Sequence, residues 1–163
     1  VPIGQSAELA TRARAQGIKV IFNLAPAARV PSGFLANVDY LIVNQIEAAF
    51  LAGSVDPEDV GTLAHSLAQD HDLTAVITLG ANGANAVSSA GVHTAPAPRV
   101  EVVDTTGAGD TFTGYLASGL ATGARLDQCL TQAVVAASLA CTRPGAQPAI
   151  PTATQVTESS ITN

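Results

Sequence analysis

Short apolar runs alternate along the chain with stretches in which apolar residues recur at helical spacing. The runs rich in Val, Ile and Leu predict buried β-strands at residues 19–24, 40–43 and 74–79. Helices are predicted beside these runs at residues 6–16, from a cap at Asn44 to about Leu51, and from the Asp56-Pro57 pair onward. Such alternation is typical of βαβ units.

The second half of the chain predicts a hairpin followed by two long helices. Residues 84–88 and 92–95 are expected to form the hairpin, and residues 99–103 a further short strand. The helices are predicted from Gly109 to about Ala121 and from Leu126 to about Cys141, with a loose last element over residues 152–163. The whole pattern predicts an α/β fold with a mostly parallel sheet flanked by helices on both faces.

The candidate chemistry lies in the sequence DTTGAGDTF, residues 104–112, which leads into the first of these helices. The small residues Gly107, Ala108 and Gly109 let backbone N–H groups turn toward a ligand, and a helix N-terminus adds partial positive charge. Asp110 places a proton acceptor beside them. The combination suits phosphoryl transfer to a hydroxyl, although a plain loop with Asp110 as a helix cap is the alternative.

Composition and two missing motifs narrow the class of ligand. The 163 residues are 47% hydrophobic and carry a formal net charge of −6, which fits one globular domain and disfavours nucleic acid or an anionic membrane as a partner. The single lysine, Lys19, stands outside any Walker A motif, and Phe112 occupies the position where a dinucleotide fingerprint needs its third glycine. With no visible signal peptide or transmembrane run, we expect a cytoplasmic protein.

The full run of residues 104–112 resembles the C-terminal signature of the ribokinase-like (PfkB-type) carbohydrate kinases. This resemblance implies that Asp110 is the general base. It also implies that the N–H groups of Gly107, Ala108 and Gly109 form an anion hole for the transferred phosphoryl group, with ATP and Mg²⁺ as cofactors. Residues 23–27 and 145–148 resemble the ribokinase branch most closely, and the latter argue against a vitamin or phosphomethylpyrimidine kinase.

Two further segments match the same family. Asn44 and Glu47 have the spacing of a helix capping box, and they also resemble a motif that implies indirect contact with Mg²⁺ and the nucleotide phosphates. Both interpretations can hold at once, because a cap that follows a strand points toward the edge of the sheet where ligands bind. Thr78, Gly80 and Gly83 either form a plain turn or, by resemblance, line the ATP phosphates.

The resemblance also implies a site for a monovalent cation, usually K⁺. Its expected ligands are a carboxylate oxygen of Asp104 and a set of backbone carbonyls, those of Thr106, Ala140, Arg143 and Gly145. The chain departs from the family at Ala149, where relatives often carry a serine hydroxyl. A water could replace that ligand.

We therefore predict ATP-dependent phosphotransfer to a hydroxyl of a sugar or sugar-like alcohol, with ribose as the leading candidate. The chain matches the C-terminal, ATP-binding part of such a kinase. The N-terminal part, which normally carries most sugar-binding residues, is expected to be absent, and a homodimer is possible in the intact protein. The alternative is a catalytically inert nucleotide-binding fragment or remnant.

Overall fold

The computed structural model describes residues 2–54 and 56–161. Its helices are α1 (Ile3–Ala15), α2 (Gln45–Ala52), α3 (Val60–His71), α4 (Ala108–Ala121), α5 (Leu126–Ala140) and α6 (Ala153–Ile161). Its strands are β1 (Ile21–Asn23), β2 (Tyr40–Asn44), β3 (Thr74–Thr78), β4 (Ala84–Ser88) and β5 (Gly91–Ala95). Within these described ranges, no helix has both the length and the apolar character needed to cross a bilayer.

The chain divides into two compact units. The first comprises the residues up to Thr78 together with Asn85–Val92, and the second comprises Leu79–Ala84 and the residues from His93 onward. The predicted chemistry is divided in the same way. Asn44, Glu47 and Thr78 belong to the first unit, and the run 104–112 belongs to the second.

The five strands follow one another in the sheet in chain order, β1 to β5. β1 pairs with β2, and β2 with β3, in parallel. The central residues of β2 and β3 are buried apolar side chains, as expected for parallel strands that are covered by other elements. β4 and β5 are joined by only two residues, which requires an antiparallel pair. The α/β prediction is confirmed, with a mixed sheet.

Local capping explains where helix boundaries agree with the sequence and where they differ. α2 begins after Asn44 and ends at Gly53 (φ 64°), as predicted. α3 begins at Val60 because Asp59 caps it by accepting from the Thr62 N–H, whereas Asp56 accepts from Glu58 in the preceding turn. The start predicted at residues 56–57 was therefore wrong.

Two other predictions were wrong: the cap of α1 at Ser6 and the strand at residues 99–103. α1 begins at Ile3, and the Ser6 N–H donates to the carbonyl of Pro2 inside its first turn, so Ser6 is not the cap. Residues 99–103 form no strand, since Val102 and Val103 stay exposed and the Val103 N–H donates to the Cys141 carbonyl. The tail is more ordered than expected, because α6 buries Val156 against α5.

α4 and α5 form the largest helix contact of the second unit, and they meet at a glycine. A Cβ built on Gly119 would lie 2.7 Å from the sulfur of Cys129, which is fully buried. Nothing lies within 4 Å of the equivalent position on Gly114, in the same helix. The two helices therefore pack closely at Gly119, where a side chain is missing.

We expect Gly119→Ala to destabilise the protein and Gly114→Ala to stabilise it. Overpacking costs about 1–3 kcal/mol, which outweighs the gain of up to about 1 kcal/mol from replacing a helical glycine by alanine. Gly114→Ala gains helix propensity without an overpacking cost, so it is the matched control. Urea unfolding measures both variants. Gly119→Ala should cost less in a Cys129→Ala background, and equal effects of the two alanines would contradict the packing argument.

Candidate active site

Polar residues lie together where β2 and β3 end. The parallel register pairs Asn44 directly with Thr78, the last residue of each strand. The Thr78 hydroxyl donates to the carbonyl of Val43 at 3.4 Å. The carboxyl ends of parallel strands form the edge at which open α/β sheets bind ligands. Asn44 and Thr78 are thus adjacent at that edge in the first unit.

Asn44 and Glu47 form a complete capping box at the start of α2. The Asn44 Oδ1 accepts from the Glu47 N–H at 2.9 Å, and the Glu47 Oε2 accepts from the Asn44 N–H at 2.8 Å. Glu47 is only 6% exposed. The structural interpretation of this pair is confirmed. A carboxylate has about four acceptor positions, so one amide bond leaves Glu47 with further oxygen capacity at the sheet edge.

The turn after β3 belongs to the second unit and depends on two glycines. Gly80 (φ 56°) and Gly83 (φ 94°) both adopt left-handed backbone conformations, and the Leu79 N–H donates to the Gly83 carbonyl at 2.7 Å. The α-carbon of Gly83 packs so closely on the carbonyl of Ala95 that a side chain could not be accommodated. The close packing accounts for a glycine at residue 83 without reference to any ligand.

The run 104–112 forms a loop and the first turn of α4. Gly107 (φ 76°) is the N-cap, so Ala108 and Gly109 lie within the helix rather than before it. The Ala108 N–H donates to the Thr105 carbonyl at 3.2 Å. Asp110 lies in the first turn with an exposed side chain. The first N–H groups of a helix have no acceptor within it, so Asp110 stands beside donors that the helix itself does not satisfy and beside the positive end of the helix dipole.

Asp104 connects this loop to a segment far away in the sequence. Its Oδ1 accepts from the Thr106 N–H at 2.9 Å, and its Oδ2 accepts from the Gly145 N–H at 2.8 Å, across 41 residues. Hydrogen bonds from the Thr106 side chain, the Gly145 N–H and the Thr106 N–H lower the pKa of Asp104. In its charged form, the Asp104 carboxylate therefore holds both segments together.

Two further contacts fix the same pair of segments. The Cys141 carbonyl accepts from the N–H groups of both Val103 and Asp104. A Cβ on Gly107 would lie 2.9 Å from the Cβ of Ala146, which shows how closely the N-cap approaches residue 146. Neither Cys141 nor Ala146 was predicted as a site residue, because both contacts are long-range and involve a backbone carbonyl or a methyl group.

Hydrogen bonds bring some of the predicted cation ligands together. Asp104, Thr106 and Gly145 are linked by hydrogen bonds, and Arg143 donates its N–H to the Ala140 carbonyl at 3.4 Å at the end of α5. No group of three His, Cys, Asp or Glu side chains that could hold a metal ion occurs in the part of the chain that the structure describes. A cation here would depend on carbonyl and hydroxyl oxygens beside a single carboxylate, a donor set that fits K⁺.

The fold agrees with comparisons to known proteins. The model of the pfkB family carbohydrate kinases matches residues 6–153, and the chain belongs to that family. It is 34% identical to the ribokinase of Haemophilus influenzae over 93% of this chain and 50% of that protein.

Two solved structures extend the likeness to the fold. The ribokinase of Thermotoga maritima has a TM-score of 0.87 and 29% identity over 100% of this chain and 54% of that one. Arabidopsis thaliana ribokinase, solved with ribose and ATP, has a TM-score of 0.88 and 29% identity over 96% of this chain and 52% of that one. The chain thus spans about half the length of the relatives it matches.

The lowered pKa of Asp104 predicts a pH-dependent loss of stability. A carboxylate with a lowered folded-state pKa contributes stability above its unfolded-state pKa, and this contribution is lost as the pH falls through the folded value. Asp104→Asn offers a single acceptor oxygen where the wild type uses two. We expect a lower Tm at neutral pH and a difference from wild type that narrows as the pH falls below about 4, the ordinary pKa range of an aspartate, and through the lower folded-state value.

Thermal melts across this pH range measure the effect. Glu101→Gln is the control, since it removes an exposed carboxylate three residues earlier in the same unit. A Tm difference for Asp104→Asn that stays constant with pH would contradict the role of the ionised carboxylate.

Proposed function

We propose that the chain forms the ATP side and the catalytic base of a kinase that phosphorylates a hydroxyl of a sugar or sugar-like alcohol. The observation that carries this proposal is the start of α4, where the exposed Asp110 carboxylate stands in the first turn beside the N-cap Gly107. The loop before it is held by Asp104 through the Gly145 N–H. Family membership supports phosphotransfer as the chemistry of this arrangement.

In the proposed reaction, Asp110 accepts the proton of the acceptor hydroxyl as its oxygen attacks the γ-phosphorus of ATP. An O–P bond forms on the acceptor while the bond between the γ-phosphorus and the bridging oxygen breaks, and that electron pair leaves with ADP. The N–H groups at residues 107–109 stabilise the charge on the transferred group, aided by the helix dipole. The Ala108 N–H must first release the Thr105 carbonyl to take part.

The carboxyl ends of β2 and β3 and the turn after β3 are the proposed locations of metal and nucleotide contacts. Asn44 and Glu47 would hold Mg²⁺ through its waters, and Thr78, Gly80 and Gly83 would line the phosphates. When bound, Mg²⁺ supplies positive charge that offsets the charge of the phosphate oxygens. This role suits a chain with a net charge of −6, which offers few cationic side chains for phosphate.

A monovalent cation is the second proposed cofactor. The Asp104 carboxylate and the carbonyls of Thr106, Ala140, Arg143 and Gly145 would hold it. Asp104 uses one acceptor position on each oxygen for an N–H group, so both oxygens keep further capacity. A cation there would reinforce the connection between the loop before α4 and the segment after α5.

Ribose is the leading candidate for the acceptor, by analogy with the Arabidopsis thaliana ribokinase solved with ribose and ATP. The alternative is a nucleotide-binding fragment or remnant without transferase activity. ATP consumption measured over a panel of sugars separates the two. Turnover with any sugar supports the kinase, whereas ADP binding without turnover supports the alternative.

Asp110→Asn tests the proposed base. We expect kcat to fall at least about 10²–10⁴-fold because the proton acceptor is lost, while the Kd for ATP changes little. Asp127→Asn is the matched control, since Asp127 also lies in the first turn of a helix but is paired with Arg125 outside the site. A coupled assay gives kcat and calorimetry gives the Kd. Near-normal turnover of Asp110→Asn would disprove the assignment.

Glu47 allows the helix cap to be separated from the proposed metal role. Glu47→Gln keeps an oxygen that can accept from the Asn44 N–H but removes the charge, whereas Glu47→Ala removes both. We expect Glu47→Gln to retain most of the stability of α2 and to need a higher Mg²⁺ concentration for half-maximal turnover. Glu47→Ala should also lose about 0.5–2 kcal/mol of stability. An unchanged Mg²⁺ requirement in Glu47→Gln would leave Glu47 with the capping role alone.

A further inference from the structure

Thr111 is a buried polar residue that the proposed reaction does not use. It lies in α4 directly after Asp110 and is only 3% exposed. Its N–H donates to the Gly107 carbonyl at 2.9 Å, but among the described residues its hydroxyl oxygen has no hydrogen-bond partner. A buried hydroxyl without a partner costs stability, so this one calls for an explanation.

Contacts on both sides of Thr111 identify what it faces. Gly107, Thr111 and Tyr115 are spaced four residues apart and so share one face of α4. Gly107 packs against Ala146, and the Tyr115 hydroxyl donates to the Pro151 carbonyl at 2.7 Å. The segment 146–151 therefore runs along this face, and Thr111 lies between its two points of contact.

The segment itself offers Thr111 no charged side chain. Its sequence is Ala-Gln-Pro-Ala-Ile-Pro, and Ala149 is buried within it. The side chain of Asp110, directly before Thr111, is exposed, and the Asp104 carboxylate accepts from the Gly145 N–H immediately before the segment. A hydroxyl oxygen, backbone carbonyls and one carboxylate form a set of oxygen ligands with a single negative charge. Such a set suits a monovalent cation and disfavours an anion.

We infer that the Thr111 hydroxyl is a ligand of the proposed monovalent-cation site and supplies, from α4, the side-chain oxygen that Ala149 lacks. The inference rests on the cation site of the proposed function but not on phosphotransfer. It explains why a hydroxyl without a partner is buried at this position, because the cation completes its coordination.

The inference predicts effects of opposite sign for one substitution. Thr111→Val has nearly the same shape but no hydroxyl. In tetramethylammonium chloride it should raise the Tm, because an unpaired buried hydroxyl is removed. Exchange into KCl at equal ionic strength should raise the Tm of the wild type by ligand linkage, and this increment should vanish in Thr111→Val, with K⁺ binding weakened at least about tenfold.

Three further variants make the test specific. Thr111→Ser keeps the hydroxyl and should keep the K⁺ increment. Thr131→Val is the matched control, because Thr131 is a helical threonine whose hydroxyl donates to the Asp127 carbonyl outside this site, and its K⁺ increment should equal that of the wild type. Ala149→Ser, combined with Thr111→Val, supplies a hydroxyl from the opposite side. The double variant should regain the rise in Tm that K⁺ gives the wild type.

Thermal melts of the purified protein, without nucleotide, decide the outcome. A wild-type K⁺ increment that persists in Thr111→Val would overturn the inference. So would a lower Tm for Thr111→Val in tetramethylammonium, since the hydroxyl would then already have a partner. If the wild type shows no K⁺ increment, the cation site is disproved, while the kinase proposal still stands or falls on Asp110→Asn.

Discussion

The second unit depends on one carboxylate that joins two distant parts of the chain. Asp104 accepts from the Thr106 N–H within its own loop and from the Gly145 N–H across 41 residues. Because these bonds use both oxygens, the loop before α4 and the segment after α5 are fixed relative to each other. The close approach of Gly107 to Ala146 follows from that connection, and so does the course of the segment along α4.

Backbone groups carry most of the polar organisation of this region. The Cys141 carbonyl holds the residues before the loop, and an N–H group of Gly145 holds the carboxylate. Apart from the Asp104 carboxylate, these bonds join backbone groups, so residues such as Ala146 and Gly145 can be structurally important without any functional group of their own. The use of backbone groups suits a chain with 12% charged residues, in which phosphate would be bound mainly by backbone amides.

Features set by neighbouring residues were predictable from the sequence. The capping box of Asn44 and Glu47 and the end of α2 at Gly53 follow from local hydrogen bonding and φ preference. The start of α5 at Leu126 follows the helical spacing of its apolar residues. The start of α3 was missed because two aspartates, Asp56 and Asp59, offer similar capping signals and only one accepts from the first turn.

Long-range features were not predictable from local pattern. Residues 99–103 have the alternation of a strand, but a strand also needs a partner, and Val103 donates instead to the end of α5. The connection between Asp104 and residue 145 came from family resemblance rather than periodicity. The buried hydroxyl of Thr111 carries no sequence signal at all, because a helical threonine is usually satisfied by its own backbone. The roles of the site residues in catalysis and cation binding stay predictions.

The division into two units has a consequence for how such a chain can evolve. The chain passes from one unit to the other three times, at Thr78–Leu79, Ala84–Asn85 and Val92–His93. Neither unit is a continuous stretch of sequence, so no single genetic crossover can exchange one while leaving the other intact. The metal-contact edge proposed for the first unit and the base proposed for the second would therefore be inherited together and diverge as one lineage.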